Sequence, residues 1–356
     1  MGLRHLSIRQ FRCFPAVDIE LSPQINVVAG KNASGKTSIL EAIFLLSRGR
    51  SFRTPQLETA LRQGEEEFYL AATIANRAST VDVSLKRRNG LLQPTIASKS
   101  AATLGQLAAL FPVQLLDGQT NMIIQGGAKY RRQFLDWGAF HVERLFHETW
   151  QKYHRALKQR NVLLKGNRRG DDLSAWDAEL AQYGEQLGRI REQYLHDIYG
   201  SILELTKQTL DGSAISIRYI RGWAEGSSLA DSLLATSKRD RLLGTTSSGP
   251  HRADLAIQIN GRPAQEIISR GQAKILAASL LLAQATFYQR QIGVSTTLLV
   301  DDLEAELDTE HLTVLLQRIR EVGSQVILTA IEPHSMVTGS AAAMFHVKQG
   351  NCVKMI

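Results

Sequence analysis

The sequence has 356 residues, 44% of them hydrophobic and 21% charged, close to the averages of folded proteins, which excludes a disordered or fibrous chain. At roughly 150 residues per domain it holds two domains, or one large domain with an insertion. Lysine and arginine total 42 against 34 acids, a net charge of +8 that suits a polyanionic partner.

The two cysteines, Cys13 and Cys352, lie near opposite ends with neither metal-site spacing nor a disulfide framework, which points to a reducing, cytoplasmic setting. Met1 to Arg12 carries Arg4, Arg9 and Arg12 and no apolar block of leader length. The longest apolar run, Ile275 to Ala285, is interrupted by Ser279 and Gln284 and falls far short of the roughly 20 residues that span a bilayer. No membrane association is expected.

In chain order, the first hundred residues read as strands with one helix. Val17, Ile19 and Leu21 alternate with polar residues, and Ile25 to Ala29 is a compact buried run. Thr37 to Arg48 places Ile39, Ile43 and Leu46 on one helical face. Val81, Val83 and Leu85 alternate as in an antiparallel strand. From Ala128 to Lys165 the spacing predicts a helix, then the polar stretch Gly166 to Asp172, then a second helix from Ser174 to about Leu205, together an antiparallel hairpin. Arms of about 35 residues reach about 50 Å at 1.5 Å per residue, too short for a long coiled coil.

Strand character returns at Ile215 to Ile220 and at Leu255 to Ile259, which ends in the turn pair Asn260-Gly261. Helix Ala273 to Gln289, strand Thr297 to Val300, helix His311 to Val322 and strand Val326 to Thr329 follow, an order that implies an α/β domain with a parallel sheet. The expected organisation is a head split into 1–125 and 211–356 by a helical lobe at 126–210.

Gly30-Lys31-Asn32-Ala33-Ser34-Gly35-Lys36-Thr37-Ser38 has P-loop spacing between a buried strand and a helix. Backbone N–H groups and a helix N-terminus in that setting cradle phosphates. Lys36 is then expected at the β- and γ-phosphates of ATP, with the Thr37 hydroxyl on Mg²⁺. Thr297-Leu298-Leu299-Val300-Asp301-Asp302 is an apolar strand ending in two acids. Acids at a strand end are ordinarily solvated, but beside a P-loop Asp301 becomes the carboxylate expected at Mg²⁺.

Ser269-Arg270-Gly271-Gln272, just before a helix, resembles the signature motif of ABC ATPases, whose serine and glycine contact the γ-phosphate of an ATP held by a second subunit. An N-cap and turn is the plainer reading of the same residues. Glu304-Ala305-Glu306-Leu307-Asp308 resembles the D-loop of that superfamily, with Glu306, Leu307 and Asp308 in place and alanine at 305 where serine is usual. Together with Tyr130-Arg131-Arg132-Gln133-Phe134-Leu135-Asp136 and Gly249-Pro250-His251-Arg252-Ala253-Asp254-Leu255, these motifs run in order over nearly the whole chain. The set resembles the RecF family of bacterial recombination mediators.

That resemblance implies an ABC-type P-loop ATPase head, α/β with a mixed sheet and related to SMC and Rad50 heads, carrying an inserted helical second lobe. It implies an ATP-dependent homodimer that binds double- and single-stranded DNA near single-strand gaps. It further implies work with RecR and RecO to load RecA in repair, replication and the SOS response. In ABC ATPases the acid after the Mg²⁺-binding aspartate orients or deprotonates water. Here that position is Asp302, one methylene shorter than glutamate, which implies slow hydrolysis that resets an ATP-closed dimer. The switch histidine of transporter ATPases is replaced by Ala330, with His334 offset, and Gln114 is the candidate for a glutamine loop.

Basic clusters able to meet DNA phosphates are Arg48, Arg50 and Arg53; Lys86 to Arg88; Lys129, Arg131 and Arg132; and Lys238, Arg239 and Arg241. Arg50, Arg53, Lys129, Arg131, Arg132 and Arg252 are the nominated contacts, each of which also reads as a solvated surface charge. Two other readings stand beside this one: a transporter ATPase subunit, and a nucleotide-gated scaffold without a DNA role.

Overall fold

The computed structural model describes residues 2–75, 79–99, 103–166, 173–207, 212–302, 309–332 and 343–355. The chain divides into two compact units, Met1–Thr120 with Ala278–Ile356, and Asn121–Ala277.

In the first unit, β1 (Gly2–Phe11) and β2 (Phe14–Glu20) form a hairpin, then β3 (Ile25–Ala29) leads into α1 (Lys36–Arg48). Next come β4 (Phe68–Ala75), β5 (Thr80–Arg88), β6 (Leu91–Ile96), α2 (Leu104–Leu110) and β7 (Val113–Leu116). Five of these strands make an antiparallel sheet in the order β2-β1-β4-β5-β6. Period-two alternation explains its inner face, where Leu6 and Ile8 of β1 and Leu70 and Ile74 of β4 pack with Ile39, Ile43 and Leu46 of α1.

The second unit begins with α3 (Met122–Gln125), α4 (Ala128–Val142), α5 (Phe146–Gly166) and α6 (Ser174–Thr206). The expected helix 128–165 is thus two helices. Glu143 leaves α4 in extended backbone, and Glu143-Arg144-Leu145 contains no glycine or proline to announce it. Packing on either side, with Trp137 and Phe146 both buried, makes the break. The 33 residues of α6 span about 50 Å.

Next in this unit are β8 (Ile215–Ile220), α7 (Leu229–Leu243), β9 (Asp254–Ile259), β10 (Arg262–Pro263) and α8 (Ala264–Ile267). The three strands form a small antiparallel sheet ordered β10-β9-β8. α7 adds to the elements expected from the sequence: Ser228 caps it by accepting from Asp231 N–H and Gly244 closes it with φ 63°, both ordinary boundary signals. The expected lobe 126–210 and the unit 121–277 differ because α7 packs against α5 and α6, and the small sheet against α4 and α6.

α9 (Arg270–Ile292) carries the chain back to β11 (Thr297–Val300), α10 (Thr309–Glu321), β12 (Gln325–Ala330), β13 (Ala343–Lys348) and β14 (Asn351–Lys354). The second sheet of the first unit runs β14-β13-β3-β12-β11-β7. It is parallel except for β14, so the expected parallel sheet is present in a mixed form. β12 lies between β3 and β11, which brings the carboxyl ends of the P-loop strand and the acidic strand to one edge. Among the described residues no helix is long and apolar enough to cross a membrane.

Candidate nucleotide site

β3 ends at Ala29 and the chain turns through Gly30–Gly35 into α1. Only glycine fits both ends of that turn. Gly30 has φ +156° and a Cβ there would sit 2.5 Å from the Val347 carbonyl oxygen; Gly35 has φ +116° and a Cβ would sit 2.7 Å from Cys13 Sγ. Gly30 N–H donates to Ala330 O at 3.2 Å, which ties the loop to the end of β12. α1 starts without a side-chain cap and without an acid in its first turn, so its first N–H groups remain for an anion. Lys31, Asn32 and Ala33 are exposed, while Lys36 and Ser38 are buried. Ser34 Oγ is buried with no hydrogen-bond partner among the described residues, an orphan that a phosphate oxygen or water at the loop would satisfy.

Lys36 Nζ donates to Gly30 O at 2.6 Å and Lys31 O at 3.1 Å, spanning its own loop. Burial pushes its ammonium down, and the charges of Asp302 and Asp301 pull it back up. Thr37 Oγ1 donates to Asp301 Oδ1 at 3.0 Å, joining residues 264 positions apart. Thr329 Oγ1 donates to the same oxygen at 2.8 Å. Burial raises the Asp301 carboxyl despite these two hydroxyls, which lower it. Asp302 adopts φ +49°, a left-handed conformation that costs a non-glycine residue about 1–2 kcal/mol. Its N–H donates to Thr329 Oγ1 at 2.9 Å. The Thr37 hydroxyl and the Asp301 carboxylate are hard oxygen donors already in contact, which fits Mg²⁺ completed by phosphate and water.

Ser269 and Gln272 at the start of α9 form a reciprocal cap. Ser269 N–H donates to Gln272 Oε1 at 3.0 Å and Gln272 N–H donates to Ser269 Oγ at 3.2 Å. Ser269, Arg270 and Gln272 are exposed and Gly271 is half-buried, so the capping role is present and the segment remains accessible. The D-loop residues Glu306, Leu307 and Asp308, with Ala305, and also His334, lie outside the described residues.

Gln114 is not placed to act as a glutamine loop. It is 2% exposed, stands opposite Leu298 within the sheet, and donates through Nε2 to Gln284 Oε1 at 3.0 Å. A second glutamine, Gln119, follows β7 in the chain. It is exposed, just beyond β7, where Asp301 N–H donates to Leu116 O and Asp117 Oδ1 accepts from Gln119 N–H.

The basic clusters separate sharply. Arg48 donates to Val113 O and lies over the Phe44 ring, with its guanidinium pushed down to about 9 by burial. Arg87 pairs with Glu58, while Lys86 and Arg88 share Glu67. Arg131 is a correction to the nominated DNA contacts. It is buried and grips Asp254 through Nε at 2.6 Å and Nη2 at 2.9 Å, with Nη1 on Gly126 O at 2.6 Å. Its guanidinium is committed to Asp254 and to backbone carbonyls within the protein, which disfavours it as a phosphate contact.

Arg132 is half-buried, donates to Ala253 O at 2.7 Å, and is lowered chiefly by burial. Arg53 is exposed but bonds the fully buried Glu41 at 3.3 Å, beside the bidentate Arg12–Glu41 pair. Arg50, Lys129 and Arg252 are exposed without an ion pair among the described residues. An Arg131→Ala variant is expected to lose about 3 kcal/mol in urea unfolding, because Asp254 is left half-buried and unpaired; an unmoved midpoint would contradict this structural assignment.

The two motifs at 130–136 and 249–255 are joined by these bonds. Besides Arg131–Asp254 and Arg132–Ala253, Arg191 holds Asp136 bidentately at 2.7 and 3.0 Å and donates to Pro250 O at 2.7 Å. Tyr153 and His251 share a 2.6 Å hydrogen bond, and burial pushes the His251 imidazole down to about 4. Much of what makes those motifs distinctive in sequence is therefore scaffold.

Residues 2–354 match the RecF/RecN/SMC N-terminal domain family. A DNA replication and repair protein RecF of Shewanella denitrificans is 38% identical over 354 residues, with 98% of each chain covered. One from Shewanella halifaxensis is 37% identical over 360 residues, covering 100% of this chain and 98% of its own. The solved structure of the recombination mediator protein RecF with ATP, of the RecFOR pathway, superposes with a TM-score of 0.90 at 25% identity, covering 99% of this chain and 97% of that one. An SMC head bound to the C-terminal winged-helix domain of ScpA shares the fold at a TM-score of 0.61 and 16% identity. With its nucleotide-binding turn, mixed sheet and full-length matches in agreement, the chain belongs to the RecF family of SMC-like ATPases.

Proposed function

We propose that the protein is an ATP-gated, DNA-binding recombination mediator of the cytoplasm that works with RecR and RecO to load RecA at single-strand gaps. The observation that carries the nucleotide part is the Thr37–Asp301 contact, which unites the P-loop with an acidic strand end as ATPases require. RecF relatives named for DNA replication and repair, and the ATP-bound RecF of the RecFOR pathway, support the rest. The exposed Arg50, Lys129 and Arg252 are the contacts retained for DNA phosphates, so binding is expected to weaken steeply with salt.

The mechanism follows from the side chains. The N–H groups of the P-loop and of the first turn of α1 bind the phosphates, and Lys36 exchanges its bonds to Gly30 O and Lys31 O for γ-phosphate oxygens. Thr37 and Asp301 would hold Mg²⁺, which would supply charge neutralisation at the phosphate oxygens. Asp302 orients water from its left-handed turn, and its short side chain makes this step slow. A second copy supplies the exposed Ser269 and the half-buried Gly271, and ATP thereby closes a dimer that hydrolysis resets.

Asp302→Asn is expected to keep ATP affinity, lower turnover about 100-fold, and leave the dimer closed after ATP is added. Light scattering and phosphate release read the two effects together. Unchanged turnover would remove Asp302 from the catalytic role, and a fully repair-competent variant would favour the nucleotide-gated scaffold.

A further inference from the structure

Thr329 is the penultimate residue of β12 and only 3% exposed. Its hydroxyl has one proton to give and gives it to Asp301 Oδ1 at 2.8 Å. Thr329 Oγ1 in turn accepts the Asp302 N–H at 2.9 Å. One side chain thus holds both acids, the carboxylate of the first and the backbone of the second. The second is where holding is needed, because Asp302 sits at φ +49° in a conformation that a non-glycine residue keeps only when its surroundings fix it.

Asp301 Oδ1 receives both Thr37 and Thr329 hydroxyls. This fixes the carboxylate rotamer and leaves Oδ2 without a hydrogen bond among the described residues.

We propose that Thr329 is a positioning residue that sets the metal-facing rotamer of Asp301 and the aim of Asp302 through one hydroxyl. The proposal rests on the nucleotide-site reading above and adds to it a residue that no P-loop or acidic-strand motif contains. Valine is nearly isosteric, but it cannot accept the Asp302 N–H or donate to Asp301. Serine keeps both bonds.

The test compares wild type, Thr329→Val and Thr329→Ser by fluorescence of a labelled ATP analogue titrated with Mg²⁺, with turnover measured alongside. Thr329→Val is expected to raise the Mg²⁺ concentration for half-maximal binding about tenfold and to lower turnover by a similar factor. Its Mg²⁺-free nucleotide affinity should stay put, since Lys36 and the P-loop are untouched. Thr329→Ser should remain within about twofold of wild type.

A valine variant with unaltered Mg²⁺ dependence would overturn the proposal, as would a serine variant as impaired as the valine one, which would show that packing and not the hydroxyl matters. A wild type without Mg²⁺-dependent ATP binding would instead sink the nucleotide reading itself.

Discussion

Replacing Lys36 with alanine is expected to weaken ATP binding about 100-fold while leaving the fold intact. Lys36 is buried and, among the described residues, its ammonium bonds only the carbonyls of Gly30 and Lys31, so truncation breaks no bond outside the loop. What it removes is the charge-assisted bond to phosphate, worth about 3 kcal/mol, which is roughly 100-fold in affinity. The loss also uncovers Asp301 and Asp302, whose charges interact with the Lys36 ammonium and would then repel the nucleotide. Calorimetric titration reads the affinity, and an unchanged melting temperature separates lost binding from lost structure. Retained micromolar binding with alanine at 36 would mean that the loop does not hold phosphate as described.

Arg160→Ala should give the largest loss of stability. Arg160 and Asp240 are both fully buried and paired at 2.7 Å, and Arg160 also bonds Asp177 at 2.6 Å and Thr246 Oγ1 at 2.8 Å. Asp240 in turn accepts from the Ser247 N–H and hydroxyl at 3.0 and 2.6 Å. The network ties α5 to α6 and α7 and to the segment after α7.

Removing one partner of such a pair leaves a buried carboxylate uncompensated, at about 3–5 kcal/mol. A unit of this size should then melt about 10 °C lower. Arg160→Met combined with Asp240→Leu should recover part of the loss, because the fully buried carboxylate is then gone and only the partly exposed Asp177 lacks its partner. A single variant that melts like wild type would show the network to be dispensable.

The strands and helices that carry the nucleotide site were legible because each is short, strongly patterned and followed by its functional residue. Ile25–Ala29 opens into the P-loop and Thr297–Val300 ends at Asp301, both as expected. Thr329 and the left-handed turn of Asp302 were not legible, since a threonine at the end of an apolar strand looks like any β-branched strand residue until the neighbouring strand is placed beside it. Gln114 misled for a related reason, since a glutamine within a strand is read by the sheet as a core amide and not as a loop residue.

The charged residues were least legible. Arg131 and Arg87 look like Lys129 and Arg252 in sequence, and only the partners Asp254 and Glu58 separate scaffold from surface. A pairing between distant positions leaves no periodicity in a single chain. The same holds for the break at Glu143, which is made by packing and carries no local signal.

The most direct test of the account is fluorescence anisotropy of labelled gapped DNA with wild type and Lys36→Ala, each with and without Mg·ATP. The account predicts that ATP tightens DNA binding by wild type alone, and that the tightened state weakens steeply with salt. DNA binding indifferent to both ATP and Lys36 would contradict the nucleotide-gated mediator, and would direct the search to a protein partner as what the ATP state controls.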